Sequence, residues 1–190
     1  MRRTINNLIS VIYSFFRFGI MKIWNGKGFS FHWIERFSPN VVVEINHGAK
    51  VCFGKSVRVH SGSKLKVRSN ANLKIEANVR INYNCIIACH EDIYIGEGTE
   101  FGPSVYVYDH DHDYKVGLER NEFKTASVKI GKNCWIGANS IILRGTELGD
   151  NCIVAAGTVL KGKIPANSLV YQKRDTEIKE FIIEEDGISK

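Results

Sequence analysis

One stretch of this chain repeats with a period that belongs to neither a helix nor an isolated strand. Ile130, Ile136, Ile142, Leu148, Val154 and Leu160 recur every six residues. Gly131, Gly137 and Gly149 directly follow three of them, and a small residue comes four positions after each of the first five: Cys134, Ser140, Thr146, Cys152 and Thr158. Apolar residues on a helix recur at about 3.6 positions and on a strand at 2. A step of six instead fits one side of a coil built from three short, flat strands. The aliphatic then points inward on every side and the small residue fits beside the corner. The same step recurs upstream from Ile75 and from Ile95, and earlier through Ile45, Val51 and Val57, with two-residue slips near Val59, Val67 and Ile93. The pattern predicts an all-β solenoid from about 41 to 164. Only one large gap interrupts it, a protruding loop over 108–127, and long loops inside a compact domain are usually functional.

The flanks read differently. In the segment 1–40, Ile5, Leu8, Ile9, Ile12, Phe16 and Ile20 follow helical spacing, with Val11, Phe15 and Phe18 widening the apolar surface. Arg17 interrupts the run and no small-residue cleavage site follows, so neither a signal peptide nor a membrane span is expected. Such a helix either packs on the body or lies in a membrane interface; packing is the simpler expectation. Over 165–190, Ile178, Phe181 and Ile182 predict a short amphipathic helix capping the open coil end.

Composition narrows the class. The 190 residues are 44% hydrophobic and 24% charged, as in an ordinary globular domain. Five cysteines without a CxxC pair suggest neither a disulfide framework nor a zinc knuckle, and fit a reducing compartment. Cys85, Cys134 and Cys152 fall on the small inward positions and read as structural thiols. Charge is uneven: residues 1–80 carry fourteen Lys/Arg against three Asp/Glu, residues 81–190 twelve against seventeen. A basic first half suits an anionic partner, such as a phospholipid headgroup or acidic glycan. No motif of nucleic-acid recognition accompanies it, and no nucleic acid is expected.

The candidate chemistry sits where the coil breaks, in "VYVYDHDHDY". His110 and His112 alternate with Asp109, Asp111 and Asp113, so in extended chain both histidines share a side. A histidine suits general-base work near neutral pH, and a third group should fix its tautomer. Asp109, Asp111, Asp113, Glu91 and Asp92 are all candidates for that group. A zinc site of the γ-carbonic anhydrase kind needs three protein ligands and an open position. All six histidines lie at or before residue 112, without a later pair, so no metal is expected.

The strict hexads, the protruding loop and the ending "VLKGKIPANSLV" resemble the hexapeptide-repeat acyltransferases, and more narrowly the bacterial sugar and capsular-polysaccharide O-acetyltransferases. That resemblance implies a left-handed parallel β-helix, assembly as a homotrimer, and acetyl-CoA as acyl donor in clefts between subunits. The acceptor would be a sugar or polysaccharide hydroxyl, in the cytoplasm, with the protein at most peripheral to the membrane. An amino sugar nucleotide, acylated on nitrogen, is the alternative acceptor. By the family's placement of its histidine, five residues after the last hexad aliphatic, Val107, the base is His112. Asn82 and Asn84 match an acceptor-side asparagine pair, with Asp109 and His110 beside them. Trp135 would wall the acyl channel, Ala138 and Ala156 would bind pantetheine through their backbones, and Lys161 would approach the CoA phosphates.

Overall fold

The short strands line up as three parallel sheets, one per side of a coil, in a computed structural model that describes residues 2–116, 120 and 122–180. The first face runs from Phe29–Ser30 through Lys50–Phe53, Asn72–Ile75, Asp92–Ile95, Val128–Ile130 and Glu147–Leu148 to Lys163–Ile164. The second begins at Arg36–Phe37, passes through Arg58–Val59, Arg80–Ile81, Glu100–Phe101, Trp135–Ile136 and Ile153–Val154, and ends at Leu169–Val170. The third holds Val42–Ile45, Lys64–Val67, Ile86–Cys89, Tyr106–Tyr108, Ile141–Ile142 and Val159–Leu160. The coil therefore spans Phe29 to Val170, wider than the 41–164 read from the hexads. Its first turn carries phenylalanines inward, outside the aliphatic pattern.

The step between stacked positions changes along the coil. It is 22 residues from Val51 to Leu73, 20 from Ile75 to Ile95 and 18 from Ile136 to Val154. Outside the coil that carries the protruding loop, where the step is 35, the steps differ by two residues, because strand side chains alternate sides and a pair can be added without turning the inward set out. Ile130, Ile136, Ile142, Leu148, Val154 and Leu160 are all buried, as are Cys85, Cys134, Ser140, Thr146, Cys152 and Thr158. At about 1.5–3 kcal/mol for each fully buried aliphatic, this column is the main source of stability. The corners need left-handed backbone, and asparagine supplies much of it: Asn133, Asn151 and Asn167 have φ of 52°, 57° and 60°. They stack, with the Asn151 amide donating to Asn167 at 3.1 Å. Gly137 is required for a different reason: a Cβ there would lie 2.5 Å from the backbone nitrogen of Ala156 in the next coil.

The N-terminal helix, Arg2–Asn25, closes the lower end of the coil. Phe18 is fully buried and packs on Phe37 at 4.8 Å, Phe29 at 5.5 Å and Phe53 at 5.6 Å between ring centroids. A first coil leaves backbone groups without strand partners, and the helix satisfies several of them. The Ser14 hydroxyl accepts from Phe37 N–H at 3.0 Å. Arg17 donates to the Val41 carbonyl and Lys22 to that of Phe29, both at 2.6 Å. The packed face is thus Ser10, Ser14, Arg17, Phe18 and Met21. The expected packing of the apolar stripe is corrected: Ile5, Leu8, Ile9, Ile12, Phe16 and Ile20 face outward and are exposed.

At the upper end, residues 171–180 form no helix, and Ile178 is exposed. Phe181 and Ile182, the rest of the expected capping helix, lie outside the described residues. The third face has one strand fewer than the others, and the Gln172 side chain stands in for the missing one. Its amide donates to the Val159 carbonyl at 3.0 Å and its oxygen accepts from Val159 N–H at 3.2 Å. Arg174 donates to the Gly157 carbonyl beside it.

Glu35 is buried next to the helix, and Oε2 has no hydrogen-bond partner among the described residues. Burial pushes its carboxyl up to about 8. The folded chain then holds a proton that the unfolded chain has released, and stability falls as pH rises between about 4.5 and 8. Glu35→Gln should flatten the fall in Tm across that window, which thermal melts of both proteins at several pH values will measure.

Candidate active site

The strand Tyr106–Tyr108 places the site. Val107 points into the coil, so Asp109, two residues on, points in as well and is fully buried. An ionised carboxylate there needs several donors. It accepts from the backbone N–H of His90 at 2.8 and 3.0 Å and from that of Glu91 at 2.7 Å, at the corner of the coil below. His110 Nδ1 completes the set at 3.2 Å. Burial alone would raise the Asp109 carboxyl, but the His110 bond and the two backbone donors hold it below its ordinary value. Since a carboxylate only accepts, Nδ1 carries the proton in this pair and Nε2 is left with a free lone pair.

Beyond Asp109 the chain leaves the coil as a hairpin arm rather than an irregular loop. His110–His112 pairs antiparallel with Phe123–Thr125, with His110 opposite Thr125 and His112 opposite Phe123. Arg144, on the coil, grips Asp111 at 2.6 Å, and Lys124 grips Asp113 at 2.8 Å across the arm. Asp111 and Asp113 therefore hold the arm, and neither bonds a histidine ring among the described residues.

The His90 ring stacks on that of His110, with centroids 3.5 Å apart and planes at 17°. Phe123 lies edge-on to both, at 4.5 and 5.4 Å. Burial first, then the charge of His110, pushes the His90 imidazole down to about 4, so it is a neutral platform at neutral pH. These side chains line one wall of a cleft of about 650 Å³, with Asn46, Arg68, Ser69 and His112 around it. Asn46, Arg68 and His90 each follow the last residue of a third-face strand, and those strands stack in register. The three therefore form one ladder up a single edge of the coil.

The other expected site residues scatter. His112 is exposed, contacts Phe123 at 4.7 Å, and makes no side-chain hydrogen bond among the described residues. Asn82 and Asn84 sit at the corner between the second and third faces, outside the histidine cleft. Asn84 takes φ of 58° there, and the Asn82 side chain accepts from Tyr83 N–H at 2.9 Å. Trp135 lies on the outer side of the second face, 59% exposed. Ala138 and Ala156 stack one coil apart at the corner just after it, while exposed Lys161 lies past the third face. Glu91 serves Asp109 through its backbone, and Asp92 lines a separate cleft with Lys50 and Tyr94. Among the described residues, no group of three or more His, Cys, Asp and Glu side chains could hold a metal ion. His90, Phe123 and Arg68 were not foreseen. The signal for His90 was its place immediately after "IIAC", at the same edge from which the arm departs.

Residues 127–161 match the family described as "Hexapeptide repeat of succinyl-transferase". That stretch of the chain carries the hexapeptide repeat. The chain is similar to galactoside O-acetyltransferase of Lactococcus lactis, 31% identical over 91 residues, which cover 47% of this chain and 44% of that protein. Nodulation protein L of Rhizobium leguminosarum is 43% identical over 72 residues, covering 35% and 36% of the two chains. The chain thus spans about half or less of the length of the curated relatives it matches. Among solved structures, a point mutant of AntD, an N-acyltransferase from Bacillus cereus in complex with dTDP and coenzyme A, superposes with a TM-score of 0.66. It is 19% identical, covering 80% of this chain and 82% of that one. The hexapeptide-repeat coil is accordingly a left-handed parallel β-helix.

Proposed function

We propose that this protein transfers an acetyl group from acetyl-CoA to a hydroxyl of a sugar or polysaccharide, with His110 rather than His112 as the general base. One observation carries the choice of residue: a buried carboxylate, fixed by two backbone N–H groups, orients Nδ1 of His110 and of no other histidine. Nε2 takes the proton of the acceptor hydroxyl as its oxygen attacks the thioester carbonyl. The same proton then goes to the departing sulfur, so the products are the acetyl ester and the free thiol of CoA. Neutral His90 and Phe123 keep the imidazole upright and shield one of its faces from water. The likeness to galactoside O-acetyltransferase of Lactococcus lactis supports this reading.

For the donor, the edge beside Trp135 fits a slender thioester arm. Small Ala138 and Ala156 leave backbone accessible there, and the tryptophan offers an uncovered ring. Lys161 would then serve the phosphates. Trp135 and the histidine cleft occupy different faces of one chain, so a site between neighbouring copies accounts for both. Light scattering should give three chains; an active, monodisperse monomer would overturn the shared site.

The direct test is release of CoA thiol from acetyl-CoA in the presence of a panel of sugars, with mass spectrometry of the acceptor. O-acetylated product is expected. A product acetylated only on an amino sugar would favour nitrogen as the nucleophile. Absence of thiol release with every acceptor, from a folded trimer, would sink the proposal.

A further inference from the structure

The outward side of the N-terminal helix is apolar from Ile5 to Ile23 and faces away from the coil that the described residues build. At 100° per residue, Ser10, Ser14, Arg17, Phe18 and Met21 define the packed side. Opposite them lie Ile5, Leu8, Ile9, Ile12, Phe16 and Ile23, with Tyr13 and Ile20 on the flank and Trp24 at the helix end, all exposed, Phe16 at 65% and Trp24 at 84%. No charged residue falls between Thr4 and Phe16. The two cations in the middle of the helix, Arg17 and Lys22, are turned toward the coil. Phe15 extends the surface sideways onto exposed Trp33 at 5.2 Å, and exposed Ile34 follows. A helix of 24 residues is about 36 Å long, so the strip is far larger than scattered surface apolar residues would make. No helix among the described residues is long and apolar enough to cross a membrane.

What covers this strip is indicated by its surroundings. Trp24, at its end, shares a cleft of about 420 Å³ with Lys27, Lys50, His47 and Asn46. Lys27 and Lys50 form no ion pair among the described residues, and the first eighty residues carry a net charge of +11. An apolar strip ended by tryptophan and met by unpaired lysines matches the boundary between acyl chains and anionic headgroups. A second copy of the chain would place the same lysines against each other.

We propose that the N-terminal helix docks the protein on an anionic membrane surface, the apolar strip in the acyl boundary and Lys27 and Lys50 against lipid phosphates. The docked geometry also sets where the acceptor is met. Asn46 belongs both to the lysine cleft and to the histidine cleft, and His90 stands two coils above it on the same edge. Coils stack at about 4.8 Å and His110 belongs to the coil above His90, so the base works roughly 14 Å above the headgroup-facing lysines. Resting on the acyl-transfer reading of that cleft, this favours acceptor sugars held close to the bilayer over those free in solution.

The test is flotation of the full chain with phosphatidylglycerol vesicles and with phosphatidylcholine vesicles. Binding is expected to the first, weakened by salt, and at most weakly to the second. Ile12→Glu/Phe16→Glu and Lys27→Glu/Lys50→Glu should each lower binding on the order of tenfold or more. Both pairs are exposed, and melts confirm folding. The Ile12→Glu/Phe16→Glu variant should keep its acetyl transfer to soluble sugars. Wild type that stays unbound at low salt, or an Ile12→Glu/Phe16→Glu variant that floats like wild type, overturns the docking. If that variant instead dissociates an oligomer seen by light scattering, the strip is covered by a second copy. Vesicle binding without any acetyl transfer would strike the catalytic reading alone.

Discussion

His110→Ala should lose about 10²–10⁴-fold in kcat, the usual cost of removing a positioned base. CoA affinity should hardly change, because the ring faces the reacting oxygen and not the nucleotide. His112→Ala is the paired control. Its imidazole is exposed and without a hydrogen bond to orient it, so it should lose no more than a few-fold through its place on the cleft wall. Steady-state kinetics of the two variants side by side decide the matter. A dead His112→Ala with an active His110→Ala would put the base two residues further along the arm. Two fully active variants would remove the arm from the chemistry.

Asp109→Asn should be nearly as damaging, by a different route. The asparagine oxygen can still accept from His90 and Glu91, the two donors that anchor the position. Its NH₂ then faces Nδ1 of His110, which must become an acceptor, and the proton moves to Nε2. The base is thereby blocked while its ring stays in place, and a loss on the order of 10²–10⁴-fold in kcat with little change in KM is expected. The variant should also lose the acid sensitivity that Asp109 gives the wild type. A carboxyl held below its ordinary value stabilises the fold once ionised, and that stability is lost as pH falls through the lowered value. Kinetics together with melts in acid separate the two effects: a merely structural role for Asp109 would lower Tm and leave kcat of the surviving protein intact.

The coil was legible because its signal is local and repeated. Ile130 to Leu160 announce inward positions by spacing alone, and the small residues at Cys134 or Thr146 mark the corners. The site was half legible. The alternation through Val107 already sends Asp109 inward, but its partners are backbone groups of His90 and Glu91, nineteen and eighteen residues earlier, brought near only by the stacking of coils. Counting five residues on from Val107 points to His112 without reference to these donors, since a count along the chain cannot see a donor one coil below. The helix failed in the opposite way. Its spacing was correct, yet the packed side was decided by the first coil's unpartnered carbonyls and N–H groups, which attracted Ser14, Arg17 and Lys22 and turned the isoleucines out. At the far end, Gln172 takes by its side chain the place that a strand would have filled, and the segment after it has no helical structure through residue 180.

The change of step from 22 to 20 to 18 residues has a consequence for how such a chain can vary. A length change of one residue within a side would exchange the core column for the solvent column through the rest of that strand. A change of two merely widens or narrows one side of the coil, and every aliphatic stays home. The architecture therefore obeys a parity rule, tolerant of even insertions and intolerant of odd ones unless a corner absorbs them. The hairpin arm is the limiting case: it departs after Asp109 and returns at Ala126, whose N–H is bonded to the Asp109 carbonyl at 2.9 Å. Whatever the arm's length or sequence, the coil resumes as though nothing had been inserted, so this wall of the histidine cleft can be remade without disturbing the column beneath.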